Sequence, residues 1–272
     1  MRNNKTSELV LTSLFTAIII IMAFTPLGYI PLVVINATII HIPVILGSLF
    51  CGPKKGAFLG FVFGFTSFIK NTIMPSSLSA FVFSPILASS VVGTSGIFKS
   101  AFICFVPRIL VGVLPYFVFL LIRKALSAEN KKLWGIVLDA AVCILLCFGV
   151  HAFIAKVAAN MSGAVNLIIS IVIAAVVFVL LQLVTGKKDA SVLSFVYAGI
   201  SGAFINTLLV MGGIFVLYKD AYADALSIDA GAVLGVIGGV ISFNGVIEAI
   251  VAAVIVYAIG IVLTKIKPIY KK

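Results

Sequence analysis

Long apolar runs alternate with short polar or charged connections along the chain. A helix of about 20 apolar residues crosses the hydrocarbon core of a membrane, which is about 30 Å thick. The second and third runs are short, so tilt or burial among neighbouring helices has to complete them. The pattern predicts eight transmembrane helices, near residues 9–27, 35–50, 56–69, 100–122, 133–153, 164–184, 191–217 and 238–264.

The basic residues of the connections indicate how these helices are oriented. If the N-terminus lies inside, the outer side receives only Lys70, Lys99, Lys156 and Lys219. Every other Lys and Arg falls on the inner side, except Arg108, which lies within a run. Because basic residues accumulate on the cytoplasmic side of membrane proteins, this asymmetry predicts both termini in the cytoplasm and supports an even number of spans.

The composition agrees with an all-α integral membrane protein and excludes other classes. Hydrophobic residues make up 62% of the 272 and charged residues 10%, with a net charge of +11. The positive charge lies in short clusters between apolar runs, a pattern that orients helices and does not indicate nucleic-acid binding. The four cysteines lie in or beside apolar runs, so we interpret them as packing residues rather than as a disulfide framework or a metal site.

Two outer connections are informative, one because it is long and uncharged and the other because it is acidic. Residues 72–98 contain the uncharged stretch SLSAFVFSPILASS, which predicts either a re-entrant, lid-like segment on the outer face or a plain long loop. Residues 218–234 carry Asp220, Asp224 and Asp229, which is typical of a solvated outer loop.

A few polar residues lie inside apolar runs, where they are costly and usually face the protein interior or a cavity. Arg108, Asn206 and Glu248 lie about 13 to 16 Å from the outer ends of their predicted helices, at the helical rise per residue. His41 begins the second turn of a helix that also enters from outside. Asn244 precedes Glu248 by one turn and shares its helical face. Their similar depth predicts one pocket in the outer half of the membrane.

A second interpretation of these residues stays open. In it, Arg108 and Glu248 pair only to fix the packing of their helices, and Asn206 and Asn244 form hydrogen bonds between helices. His41 alone is more often a structural histidine than a functional one.

The chain lacks the common motifs of ATP binding and catalysis. It contains no GxxxxGK[ST] loop and no HExxH, GxSxG or CxxC pattern. We therefore expect no enzyme and no catalytic or metal-binding residues. Transport remains as the expected function. The chain would then be either an ion-coupled secondary carrier or one subunit of a larger transport complex. Ser13 and Ala17 on the first helix have the small-xxx-small spacing that permits close helix contact, either with a partner or internally.

Several stretches together resemble a known family. They are FTPLGYIPL at 24–32, ATIIHIPVILGSLFCGPKKGAFLGFVFGFTSFI at 37–69, PRILVG at 107–112, GAFINTLLVMGGIFVLY at 202–218 and NGVIEAIVAAVIV at 244–256. In this order they resemble the membrane-embedded substrate-binding subunits, or S components, of energy-coupling factor (ECF) vitamin transporters, and among these the pantothenate-specific group.

The resemblance implies a fold and a division of the chain. Family members have six transmembrane helices, so the fifth and sixth runs of this chain form an additional pair. We expect a six-helix S-component core from residues 1–126 and 190–272, with 127–189 as an inserted transmembrane helix pair. The pair enters and leaves on the cytoplasmic side, which keeps the direction of every other helix. The resemblance assigns no role to this pair.

The resemblance also implies a function in the bacterial plasma membrane. An S component captures a vitamin from outside, associates with a transmembrane coupling (T) subunit and two cytoplasmic ATPases, and reorients within the membrane to deliver it. The ATPases use the ATP, and no cofactor is expected in this chain. Pantothenate is the expected substrate. Another vitamin such as folate or riboflavin, or transport coupled to an ion gradient, is the alternative.

The resemblance finally suggests roles for the polar residues. The expected substrate-binding residues are Arg108, which suits the carboxylate of pantothenate, together with His41, Asn206, Thr207, Asn244 and Glu248. Ser13 and Ala17 match part of the Ala-rich motif through which the first helix of the family contacts the coupling subunit.

Overall fold

The computed structural model describes residues 4–31, 36–158, 160–185 and 189–266, and these residues are predominantly helical. Two short strands, β1 (Tyr29–Pro31) and β2 (Asn36–Thr38), and two 3-10 turns, Pro26–Gly28 and Leu78–Phe83, interrupt the helices. The helices are α1 (Asn4–Phe24), α2 (His41–Cys51), α3 (Pro53–Ile73), α4 (Pro85–Val92), α5 (Ser95–Leu126), α6 (Lys131–Val157), α7 (Gly163–Thr185), α8 (Ala190–Leu226) and α9 (Val233–Ile266).

Within the described residues, seven helices are long and apolar enough to cross a membrane, namely α1, α3 and α5 to α9. The multi-pass helical architecture is thus confirmed, whereas eight spans are not. The second predicted span is instead α2, which has 11 residues and is too short to cross a bilayer alone. The orientation of the termini stays a prediction. We call the end of the bundle that carries Lys54, Lys131 and Lys265 the inner end.

The second predicted span is short because its first part is not helical. Strands β1 and β2 pair antiparallel, with Tyr29 opposite Thr38, and form a hairpin between α1 and α2. Pro31 disfavours helical backbone at Ile30 before it, which suits the extended conformation of β1. His41 is consequently the first residue of α2 and does not lie in its second turn as predicted.

Helices α5, α8 and α9 extend beyond the predicted spans on the outer side. They have 32, 37 and 34 residues, or about 48 to 55 Å of helix, which exceeds the hydrocarbon thickness. The prediction of a loop at 218–234 is wrong for its first half, because α8 kinks at Tyr218 and continues to Leu226. The predicted exposure of Asp220, Asp224 and Asp229 is confirmed. Tyr218 and Tyr222 are buried there against Val233 and Ile237 of α9, so apolar packing extends the helix.

The uncharged outer connection at 72–98 is folded onto the bundle. Its 3-10 turn and α4 bury Phe81, Val82 and Ala88 in one cluster with residues of α5 and α8. The Sγ of Cys104 donates to the carbonyl of Phe83 at 3.3 Å. Ser100 donates to the carbonyl of Ser84 at 3.2 Å. This segment therefore covers the outer ends of α5 and α8, as the lid-like alternative required.

Glycines bring α3 and α5 into backbone contact. Gly56, Gly60 and Gly64 recur every four residues and so form a stripe along one face of α3. A Cβ on Gly60 would overlap the carbonyl oxygen of Arg108, and one on Gly64 would lie 2.5 Å from that of Cys104. Small residues at such positions allow close packing where lipid supplies no hydrophobic driving force. The stripe thereby sets the distance between α3 and the turn of α5 that carries Arg108.

The helix pair α6–α7 is held to α8 by a buried carboxylate at the inner end. Asp139 of α6 accepts hydrogen bonds from Gln182 of α7 at 2.7 Å and from the hydroxyl of Tyr197 of α8 at 2.6 Å. Thr185 donates to the same carboxylate at 3.3 Å. Because an unpaired carboxylate at this depth would be costly, these donors fix the pair in place. The two helices fall within residues 127–189, whose status as an insertion stays a prediction.

We expect Gly60→Ala to destabilise the protein, because the added methyl group meets backbone that has no room to move. Overpacking of this kind costs about 1 to 3 kcal/mol of the free energy of unfolding. Thermal unfolding in detergent measures the loss. Gly212→Ala is the matched control, since a Cβ at Gly212 of α8 meets open space. Equal melting temperatures for the two variants would contradict the proposed role of the stripe.

Candidate functional site

Close contacts between helices place the predicted polar residues at one level of the bundle. Gly202 of α8 lies against Ile45 of α2 and Pro115 of α5, and Gly213 lies against Ile103 of α5. Arg108 falls between Pro115 and Ile103 in α5. It is therefore opposite the part of α8 between the two glycines, where Asn206 and Thr207 lie. His41 is one turn outward from Ile45, which brings it to the same level.

Glu248 is buried at 4% exposure and joins three parts of the fold. The hydroxyl of Thr207 in α8 donates to its Oε2 at 2.7 Å. The backbone N–H of Thr38 in β2 donates to its Oε1 at 2.8 Å. The carboxylate thus ties α9 to α8 and to the β1–β2 hairpin. A carboxylate has about four acceptor positions, so these two bonds leave capacity for further donors.

Arg108 is also buried, at 6% exposure, and aromatic rings orient it. Its guanidinium lies 5.4 Å from the ring centroid of Phe63 and 5.1 Å from that of Phe83. Its Nη1 donates to the carbonyl of Ile103. A guanidinium at this distance from an aromatic face is attracted by the ring, which favours one position for the buried Arg108 side chain.

Three polar side chains at this level are buried without a partner among the described residues. They are His41, at both ring nitrogens, and Asn206 and Asn244, at their Oδ1 atoms. The ring of His41 lies near the backbone of Thr38, but neither nitrogen reaches hydrogen-bonding geometry. Buried polar groups are usually satisfied, because an unpaired one costs about 1 to 3 kcal/mol. Unused hydrogen-bonding capacity of this kind suits a small polar ligand.

The other predicted residues lie elsewhere. Ser13 and Ala17 are exposed on α1, whose opposite face carries the buried residues Phe15, Ile19 and Ala23. A cavity of about 480 Å³ opens at the inner end between α5, α6, α7 and α8. The cavity is lined in part by Gln182 and Thr185, the donors to Asp139, and not by any residue of the polar cluster around Glu248 and Arg108.

The sequence analysis missed three contributors to the cluster. Thr38 supplies a backbone N–H to a residue 210 positions away, and no pattern in a single sequence signals such a contact. Phe63 and Phe83 lie against the guanidinium of Arg108. For Phe83 the uncharged segment 72–98 was the available signal, since a lid-like segment has to cover something.

We expect Thr207→Val to destabilise the protein, because it removes a donor to a buried carboxylate with little change in shape. Such a bond contributes about 1 to 3 kcal/mol, and thermal unfolding in detergent measures it. Thr264→Val is the control, since Thr264 donates only to the Gly260 carbonyl of its own helix. If the two variants have the same melting temperature, the bond between Thr207 and Glu248 does not stabilise the fold.

The fold and the buried cluster define a multi-pass helical membrane protein with a polar interior. Comparison with protein families makes this specific: the family described as the substrate-specific component of ECF transporters matches residues 7–260. The chain therefore belongs to that family, and the resemblance noted from its sequence is confirmed. It is a transporter component of the bacterial plasma membrane and not an enzyme.

Two curated relatives are similar to this chain. The pantothenic acid transporter PanT of Lactococcus lactis subsp. cremoris (strain MG1363) is 37% identical over 157 residues, which are 54% of this chain and 76% of that protein. The pantothenate transporter PanT of Leuconostoc mesenteroides subsp. mesenteroides is 35% identical over 119 residues, which are 42% of this chain and 51% of that protein. The match to the second relative thus spans about half of that relative's length.

Proposed function

We propose that the chain binds pantothenate between α2, α5, α8 and α9 and takes part in its uptake. The observation that carries this proposal is the group of buried, partly unsatisfied polar residues from four elements at one level, in a chain similar to two pantothenate transporters. Pantothenate is a small anion with a carboxylate, an amide and two hydroxyl groups. The side chains of the cluster complement each of these groups.

Arg108 is the proposed partner of the carboxylate. A guanidinium presents a rigid fork of N–H donors that matches the two oxygens of a carboxylate. The rings of Phe63 and Phe83 lie within 5.4 Å of the guanidinium and favour its position there. In a site shielded from water, this pairing is stronger than at a protein surface.

The hydroxyl and amide groups of the ligand are proposed to contact the remaining polar residues. Glu248 accepts from ligand hydroxyls in addition to Thr38 and Thr207, and Thr207 stays at the wall of the site as its neighbour. Asn206 and Asn244 offer carbonyl oxygens as acceptors and amide groups as donors. His41 offers one donor and one acceptor at its two ring nitrogens when neutral.

Access is proposed from the outer side, beneath two segments. The β1–β2 hairpin contacts Glu248 through Thr38, and the segment 78–92 contacts Arg108 through Phe83. Each segment therefore touches one residue of the proposed site. Movement of either segment exposes the polar cluster to the exterior without separating the long helices.

Titration of the purified chain in detergent with pantothenate, folate and riboflavin tests the proposal. We expect pantothenate alone to bind, with the Kd measured by isothermal titration. Arg108→Lys keeps the charge but removes the planar fork, so its Kd should rise at least about tenfold. Arg123→Lys, the same change at the inner end of α5, is the control. Binding of another vitamin, or an unchanged Kd in Arg108→Lys, would contradict the proposal.

We further propose that transport is driven by ATP through partner subunits. Family membership implies a transmembrane coupling (T) subunit and cytoplasmic ATPases in general, and two ATPases are expected here. The exposed small residues Ser13 and Ala17 give α1 a surface that allows close approach of another helix. That surface is the proposed contact with the T subunit.

Larger side chains on this surface should prevent assembly. We expect the double variant Ser13→Leu, Ala17→Leu to lose co-purification with the ATPase subunits and ATP-dependent uptake, while it keeps the pantothenate Kd of the wild type. Ala258→Leu, on an exposed position of α9, is the matched control. Normal assembly of the double variant would remove α1 from the interface. Uptake driven by an ion gradient without ATP would favour the secondary-carrier alternative.

A further inference from the structure

We propose that the helix pair α6–α7 positions the turn of α9 that carries Asn244 and Glu248, and that Gly149 is the positioning residue through which it acts. The inference rests on the proposed function, because that turn forms one wall of the proposed pantothenate site. It gives the additional helix pair a role in ligand binding, although neither helix supplies a residue of the polar cluster.

Helix α9 uses opposite faces for the pair and for the site. Successive residues of an α-helix are separated by about 100°, so Ser242, Phe243 and Val246 share one face, and Asn244 and Glu248 lie on nearly the opposite one. The first three contact α6. Helix α6 therefore supports α9 from behind the polar residues.

A third face of α9 packs on α8. A Cβ on Gly199 of α8 would lie 2.7 Å from the carbonyl oxygen of Ala252, and one on Gly245 would lie 3.7 Å from Thr207. Helix α9 is thus held between α8 and α6. Removing either contact leaves the polar turn supported on one side only.

At Gly149, α6 lies directly against the backbone of α9 beside the polar turn. A Cβ built on this glycine would overlap the Cγ2 of Val246 and would lie 2.7 Å from the carbonyl oxygen of Ser242. One turn outward, the ring of Phe153 stacks on Phe243, with centroids 5.1 Å apart and planes 3° from parallel. Because α6 and α9 are in direct backbone contact at the glycine, neither helix can move closer to the other, and the position of α6 fixes the position of this turn.

The pair can transmit support because its inner end is fixed independently. Asp139 binds Gln182 and Tyr197, which joins α6 and α7 to α8 far from the polar turn. Near the outer end, the amide of Asn166 donates to the carbonyl of His151 at 3.0 Å and joins the two helices again. Helix α6 is therefore anchored below the contact at Gly149 and braced by α7 beside it.

Gly149→Ala tests the inference, because one methyl group must push α6 and α9 apart. We expect the Kd for pantothenate to rise by about tenfold. We also expect Val246→Ala, which removes the overlapping methyl groups, to recover part of the affinity in the double variant. Phe153→Ala, which deletes the stacked ring, serves if Gly149→Ala fails to fold, and should raise the Kd by about threefold. Gly163→Ala, at an open position of the same helix pair, should change nothing.

A measurement without ligand separates this inference from the proposed function. The amide of Thr38 donates to Glu248, so displacement of the turn should speed hydrogen exchange of the segment that contains Thr38. Absence of pantothenate binding in the wild type would overturn the proposed function. The positioning role would be overturned if Gly149→Ala left the hydrogen exchange at Thr38 unchanged and, provided that the wild type binds pantothenate, also left the Kd unchanged. A lower melting temperature with both readouts unchanged would also overturn it, since it indicates structural packing only.

Discussion

A carboxylate buried among membrane helices needs donors from the protein, and this requirement at Glu248 organises the outer half of the molecule. Thr207 and the backbone of Thr38 meet it. In doing so they bind together α9, α8 and a hairpin that is distant in sequence. The polar cluster and the β1–β2 hairpin above it are therefore one unit, so a displacement of either one also displaces the other.

Such a unit is possible only because the helices around it approach closely. Glycines at the contacts of α3 with α5, of α8 with α9 and of α6 with α9 bring backbone against backbone. Between these tight contacts the polar side chains occupy the remaining space. Asp139 at the inner end is likewise a buried carboxylate that needs donors, and three neutral side chains donate to it. One carboxylate thus organises each half of the bundle, and the inner one fixes the helix pair that supports the outer one.

The sequence predicted the helices well and their outer ends poorly. Hydropathy found all seven long helices of the described part of the chain, because lipid-facing surfaces have to be apolar whatever the tertiary contacts are. It placed a loop at 218–234, because three aspartates outweighed two tyrosines that are buried in the fold. It also placed a span at 35–50, where a hairpin takes the first residues. At the outer face, polar character therefore predicted exposure of the aspartates correctly but not the helix that carries Asp220 and Asp224.

The sequence by itself determined the membrane class, the family and the polar residues at a common depth, since each depends on composition, on motifs or on distance along one helix. Only the tertiary structure decided that Glu248 bonds to the hairpin, that Phe63 and Phe83 enclose Arg108, and that α6 lies behind the polar turn of α9. These contacts join residues from different helices, and the faces that helices turn to one another are set by packing across the whole bundle. Periodicity along a single helix does not contain that information.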